Sequence, residues 1–104
     1  MRIEVLYVAD CPSHPAAVKL VREPLAAQGI TAQIHEILVS DPAVARKLKF
    51  LGSPTIRVNG RDVAGEHTGN FAMSCRLYPG STQVGVPPAE LIHRAIIEAR
   101  RGST

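Results

Sequence analysis

The sequence predicts a single α/β domain with the element order βαβαββα, a mixed four-stranded sheet and a long loop before the last helix. Residues 2–9 and 30–39 are short, β-branched stretches on either side of a helical apolar stripe, which is typical of a βαβ unit with parallel strands. The dipeptide Asn59-Gly60 after an apolar stretch is the strongest short signal for a hairpin. The length of 104 residues, 45 % of them apolar and 20 % charged, suits one globular domain covering residues 1–104.

The first three elements follow from periodicity and turn residues. The first strand, residues 2–9, ends at Asp10-Cys11-Pro12, and a helical apolar stripe then predicts a helix over residues 16–28. Gly29 is a natural helix stop, whereas Pro24 inside the helix predicts a kink or an early break. Residues 30–39 alternate between apolar and polar side chains, which predicts the second strand.

The second half of the chain begins with a helix signal. Asp41 followed by Pro42 predicts an N-cap and a first helical residue, and Gly52 closes that helix. The third strand, residues 55–58, should return through Asn59-Gly60 to an antiparallel strand over residues 61–64. Residues 65–86 are predicted to form a long loop, with a further strand near 73–78, and the last helix is predicted to start at Pro87-Pro88.

Composition argues against several function classes. The net charge of +3 is a mild bias, and the two Tyr and two Phe are not interleaved with basic residues as a nucleic-acid surface requires. No run of about 18 apolar residues exists, and the first residues resemble a strand rather than a secretory signal. We expect a cytoplasmic protein with no cofactor, no nucleic-acid partner and no membrane contact. The sequence does not indicate which oligomeric state the protein adopts.

The two cysteines, Cys11 and Cys75, are the residues most suited to chemistry. A structural disulfide is not expected in a reducing cytoplasm, which leaves packed apolar residues, metal ligands or a redox pair. Cys11 is predicted at the start of the first helix, where free amides and the helix dipole favour a thiolate. His14, three residues on, should face the same side and either stabilise that thiolate or accept its proton. The alternative is a packed Cys11 beside an exposed His14.

At this point the chain resembles the thioredoxin-like fold, over about residues 1–64 and 87–101. The resemblance rests on the element order, on the segment Cys11-Pro12-Ser13-His14 after the first strand, and on Gly52-Ser53-Pro54-Thr55, which is similar to the family's cis-proline segment. It implies a cis Pro54 with Ser53 and Thr55 beside Cys11, positioned to bind an extended thiol or disulfide substrate, with Pro12 also at the site. The alternative is an ordinary trans proline at a strand start.

The chain departs from the family's Cys-x-x-Cys motif because His14 replaces the second cysteine. It is more similar to small bacterial thioredoxin-like proteins with a Cys-Pro-x-His start and a later Ser-Cys-Arg-x-Tyr segment, here residues 74–78. Such proteins are associated with redox and sometimes with mercury- or arsenic-resistance settings. Cys75 is then a candidate resolving thiol, with Arg76 favouring its thiolate. Equally, Cys75 would be a buried residue of an extra strand.

Three functional hypotheses follow. In the first, the protein is a thiol redox protein in which Cys11 exchanges with a protein or small-molecule disulfide and Cys75 or glutathione resolves the product. In the second, Cys11 and Cys75 bind a soft metal such as mercury, copper or zinc, with His14 and His67 as further candidate ligands. In the third, the protein is a non-catalytic binding module, because the second motif cysteine is missing.

Overall fold

The computed structural model describes residues 1–9, 11–50, 52–64 and 87–102. Its strands and helices are β1 (Arg2–Tyr7), α1 (His14–Ala27), β2 (Gln33–Leu38), α2 (Pro42–Lys47), β3 (Thr55–Val58), β4 (Arg61–Asp62) and α3 (Ala89–Gly102). The predicted order βαβαββα is confirmed for this part of the chain. The predicted loop over residues 65–86 and the further strand near 73–78 lie outside the described residues.

The four strands form one mixed sheet in the order β2-β1-β3-β4. β1 pairs in parallel with β2 and antiparallel with β3, and β3 pairs antiparallel with β4. The α/β class, the parallel βαβ opening and the antiparallel hairpin are therefore as predicted. Because β4 and β1 run in the same direction, both end at the edge of the sheet where β1 leads toward Cys11.

Alternating residues of β1 supply two apolar clusters, one on each face of the sheet. On one face Ile3 and Val5 pack with α1 and α3. That cluster has these buried members: Ile3, Val5, Ala17, Val18, Val21, Leu25, Ile56, Val58, Val63, Ile92 and Ile96. On the other face Leu6 packs against the smaller α2 region, with Val39, Ala45 and Phe50. The sheet is thus covered on both faces near the end of β1 that carries the site.

Helix α1 begins two residues earlier than predicted and does not stop at Pro24. It continues to Ala27 because Leu25 is buried in the core and its carbonyl accepts the Ile30 N–H at 2.9 Å. Gly29, with a φ of 63°, turns the chain out of the helix as predicted. The expectation of an early break at Pro24 is therefore wrong, since one missing N–H is outweighed by the burial of the last turn.

Helix α2 begins as predicted and ends earlier. The Asp41 carboxylate accepts the Val44 N–H at 2.9 Å, and Pro42 is the first helical residue. The helix ends at Lys47 instead of near Gly52, because the chain turns at Lys49, whose φ is 55°. That turn places Phe50 in the core with no exposed surface, and its N–H donates to the Ala45 carbonyl at 2.8 Å.

The Asn59-Gly60 dipeptide forms the predicted two-residue hairpin loop, with φ values of 51° and 84°. β4 contains two residues, fewer than predicted, although the Val63 N–H still bonds the Ile56 carbonyl at 3.0 Å. Within the described residues no helix has the length and apolar character needed to cross a membrane.

Candidate functional site

Cys11 lies in a turn between β1 and α1, and it is a free, buried cysteine with 9 % of its surface exposed. Its N–H donates to the Val8 carbonyl at 3.3 Å, and its own carbonyl accepts the His14 N–H at 3.3 Å. We refer to residues 11–14 as the Cys11 turn. Helix α1 starts at His14, so the thiol residue is three positions ahead of the helix and not within its first turn.

This placement changes the electrostatic argument made from the sequence. The first amide of α1, that of His14, donates to the Cys11 carbonyl, and Pro15 has no N–H to offer. Two backbone N–H positions that usually bind an anion at a helix start are therefore unavailable, because one is already hydrogen-bonded and the other belongs to proline. The helix N-terminus therefore offers Cys11 fewer free backbone amides than the sequence indicated.

The segment around Pro54 is connected to the end of β1 that leads to the Cys11 turn. The Ser53 hydroxyl accepts the Val8 N–H at 3.1 Å, while the Val8 carbonyl accepts the Cys11 N–H. Val8 therefore connects Ser53 and Cys11 through its two backbone polar groups. The Ser53-Pro54 peptide bond is cis, which confirms that prediction.

The side chains of this segment are inside the protein. Ser53 and Thr55 have no exposed surface, and Pro54 is also fully buried. The Thr55 hydroxyl donates to the Gly52 carbonyl at 2.6 Å, and Thr55 pairs with Leu6 across the sheet. Pro12, by contrast, is exposed in the Cys11 turn. Of the four predicted substrate-binding residues in this part of the chain, only Pro12 offers its side chain to solvent.

The side chain of His14 has partners other than the Cys11 sulfur. Its ring stacks on Tyr7, with the ring centroids 3.7 Å apart and the planes 8° from parallel. Its Nε2 lies 2.7 Å from Oε1 of Glu36. Because a carboxylate can only accept, Nε2 carries the proton in this contact. Among the contacts of the described residues, none joins the His14 ring to the thiol that it was expected to activate.

Sequence reasoning missed Tyr7 and Glu36 as members of the site. A signal was present in the alternation of β2, where Glu36 occupies a position between Ile34 and Leu38 on the face that packs against α1. Glu36 is itself 41 % exposed, at the rim of that face, so the alternation indicates its side of the sheet but not its partner. Here the partner is His14, at the start of the helix above.

Three candidate residues, Cys75, Arg76 and His67, lie outside the described residues. The chain leaves β4 at the sheet edge where Cys11 lies, which is compatible with the predicted route from the hairpin to the site. Among the residues that the structure does describe, no three His, Cys, Asp or Glu side chains are grouped to hold a metal ion. The soft-metal hypothesis therefore depends on Cys75, and nothing within the described part of the chain favours it.

Comparison with known proteins adds no relative to this description. No family model matches the chain, and neither a curated protein nor a solved structure does.

Proposed function

We propose that this protein is a thioredoxin-like thiol redox protein in which Cys11 performs thiol–disulfide exchange. The observation that carries the proposal is the connection through Val8, which holds the Cys11 turn and the Ser53-Pro54 segment together at the end of β1. The sheet order β2-β1-β3-β4, with parallel and antiparallel pairs, is compatible with a thioredoxin-like layout. Cys11 itself is a free thiol in a connecting turn, the kind of segment that commonly carries function.

The reaction takes place in two exchange steps. The Cys11 thiolate attacks one sulfur of a substrate disulfide, so that the substrate S–S bond breaks and a mixed disulfide forms. The other substrate sulfur leaves as a thiolate and takes up a proton. A second thiol, from Cys75 or glutathione, then attacks the Cys11 sulfur and releases the remaining substrate thiol. Two thiols are oxidised to one disulfide, and one substrate disulfide is reduced to two thiols.

The two cysteines provide matched variants for the test. In the Cys75→Ser protein only Cys11 remains, and in Cys11→Ser only Cys75 remains. Folded samples of each are mixed with glutathione disulfide, and the intact mass is followed over time. We expect the Cys75→Ser protein to accumulate a glutathione adduct on Cys11, because no second internal thiol resolves it.

The wild-type protein should accumulate less of that adduct if Cys75 resolves it, and Cys11→Ser should react more slowly than Cys75→Ser. Failure of Cys11 to form a mixed disulfide in the folded Cys75→Ser protein would contradict the proposal. Full biological activity of Cys11→Ser would also contradict it and would favour the non-catalytic module.

A further inference from the structure

The Cys11 turn is held by a cluster of side chains at its last residue. His14 lies between the ring of Tyr7, on β1, and the carboxylate of Glu36, on β2. We call these three residues the His14 latch. These two strands pair in parallel along their whole length, with β2 at the edge of the sheet, so the latch joins the end of the turn to the most extensively paired part of the sheet.

The contacts of the latch are closer than the backbone contacts of the turn. The two hydrogen bonds that Cys11 makes through its backbone are both 3.3 Å long, at the weak end of the normal range. The His14–Glu36 contact is 2.7 Å, a distance typical of a charge-assisted hydrogen bond. The Ser13 carbonyl also accepts the Ala17 N–H at 3.0 Å, so the latch acts together with the first helical hydrogen bond in holding the end of the turn.

The latch also lies closer to solvent than the thiol of Cys11. The side chains of His14 and Glu36 are 21 % and 41 % exposed, whereas Cys11 is 9 % exposed. Water competes for the partly exposed His14–Glu36 contact, so this contact can open without disrupting the apolar core. The sulfur needs such an opening, because attack on a disulfide requires access along the S–S axis.

We propose that the His14 latch holds the Cys11 turn closed, and that release of His14 from Glu36 and Tyr7 exposes the sulfur to its disulfide substrate. The inference rests on the proposed redox function, although opening of the latch can be measured without a disulfide substrate. His14 is thus a positioning residue that controls access to Cys11, in place of the general base that its sequence position suggested.

The test measures the rate at which iodoacetamide alkylates Cys11 in the folded protein, with Cys75→Ser as the common background. Removing the carboxylate with Glu36→Ala should raise this rate about 3- to 10-fold, the effect of losing one ordinary hydrogen bond, because partial exposure to water weakens the charge-assisted pair. Glu36→Gln keeps an acceptor oxygen at the same position and should stay within about 2-fold of the background rate. Glu36 is partly exposed, so both variants are expected to fold.

A control separates local opening from general destabilisation. Ile96 is fully buried in the core against α1, far along the chain from the latch. Ile96→Val removes one buried methyl group and weakens the fold by an amount comparable to the loss of a hydrogen bond. If the latch governs access, Ile96→Val leaves the alkylation rate unchanged. Equal acceleration by Ile96→Val and Glu36→Ala would show that the thiol reacts through general unfolding, and would overturn the latch.

The remaining outcomes distinguish the latch from the redox function. An unchanged alkylation rate in Glu36→Ala, or no alkylation in any folded variant, overturns the latch, whether or not Cys11 forms a mixed disulfide with glutathione. A faster alkylation in Glu36→Ala without mixed-disulfide formation in any variant supports the latch and removes the redox function. Acceleration of both reactions by Glu36→Ala, with rescue by Glu36→Gln, supports the two together.

Discussion

Replacing Ser53 by alanine tests the connection between the Pro54 segment and the end of β1. Ser53 is fully buried, and its hydroxyl accepts the Val8 N–H at 3.1 Å. In Ser53→Ala that N–H loses its acceptor in a half-buried position, which only partly admits water. An orphaned buried donor costs about 1–3 kcal/mol, and the partial exposure of Val8 places the expected loss near 1–2 kcal/mol. For a domain of this size the melting temperature should fall by about 5 °C or more.

The assay is urea unfolding followed by circular dichroism, with the slope against urea compared among variants. Ser40→Ala is the matched control, because Ser40 is exposed and the same substitution there should change stability by less than about 0.5 kcal/mol. An unchanged slope with a lower midpoint identifies a loss of native stability. If Ser53→Ala and Ser40→Ala lose the same small amount, the hydrogen bond to Val8 does not hold this segment and the reasoning fails.

Three further predictions concern helix ends, and each is measured by the same urea unfolding. Lys49→Gly should stabilise the protein by about 0.5–1 kcal/mol, because Lys49 has a φ of 55°. The control Lys47→Gly, at the last residue of α2, should instead destabilise it, by up to about 1 kcal/mol. Asp41→Ala should cost about 1 kcal/mol through loss of the acceptor for the Val44 N–H, and Asp41→Asn should retain most of that stability. Gly29→Ala should cost about 1 kcal/mol from its φ of 63° alone, since an added Cβ meets no atom within 4 Å. The opposite sign at Lys49, or no loss at Asp41 or Gly29, would contradict the respective cap.

The features predicted correctly are those whose cause lies within a few residues. The Asn59-Gly60 loop needs two positive φ values, the start of α2 needs one carboxylate three residues before an amide, and the end of α1 needs Gly29. Each of these is local backbone chemistry. The end of α2 lies earlier than the local sequence predicts, because burial of Phe50 decides where the helix stops. The Arg57 guanidinium also contributes there, by donating to the carbonyls of Leu48 and Lys49.

The candidate site also combines features that the sequence indicates with long-range contacts that it does not. The cysteine in the turn after β1 was identified from the residues, and the cis Ser53-Pro54 bond from a family resemblance. The partners of His14 were not identified, because Glu36 is 22 residues away and reaches His14 only through the parallel register of β1 and β2. The assumed contact between His14 and Cys11 relied on sequence spacing in a helix. In the structure the ring instead turns toward the two strands below it.

The sequence by itself determined the α/β class, the order of the elements and the presence of a cysteine in the turn after β1, because periodicity and turn residues act over short distances. Only the tertiary structure decided how that cysteine is held. Val8 brings Ser53 to the Cys11 turn, and Glu36 and Tyr7 bind His14. These contacts join residues from separate strands, and the register of the sheet, set by which side chains are buried on each face, brings them within hydrogen-bonding distance.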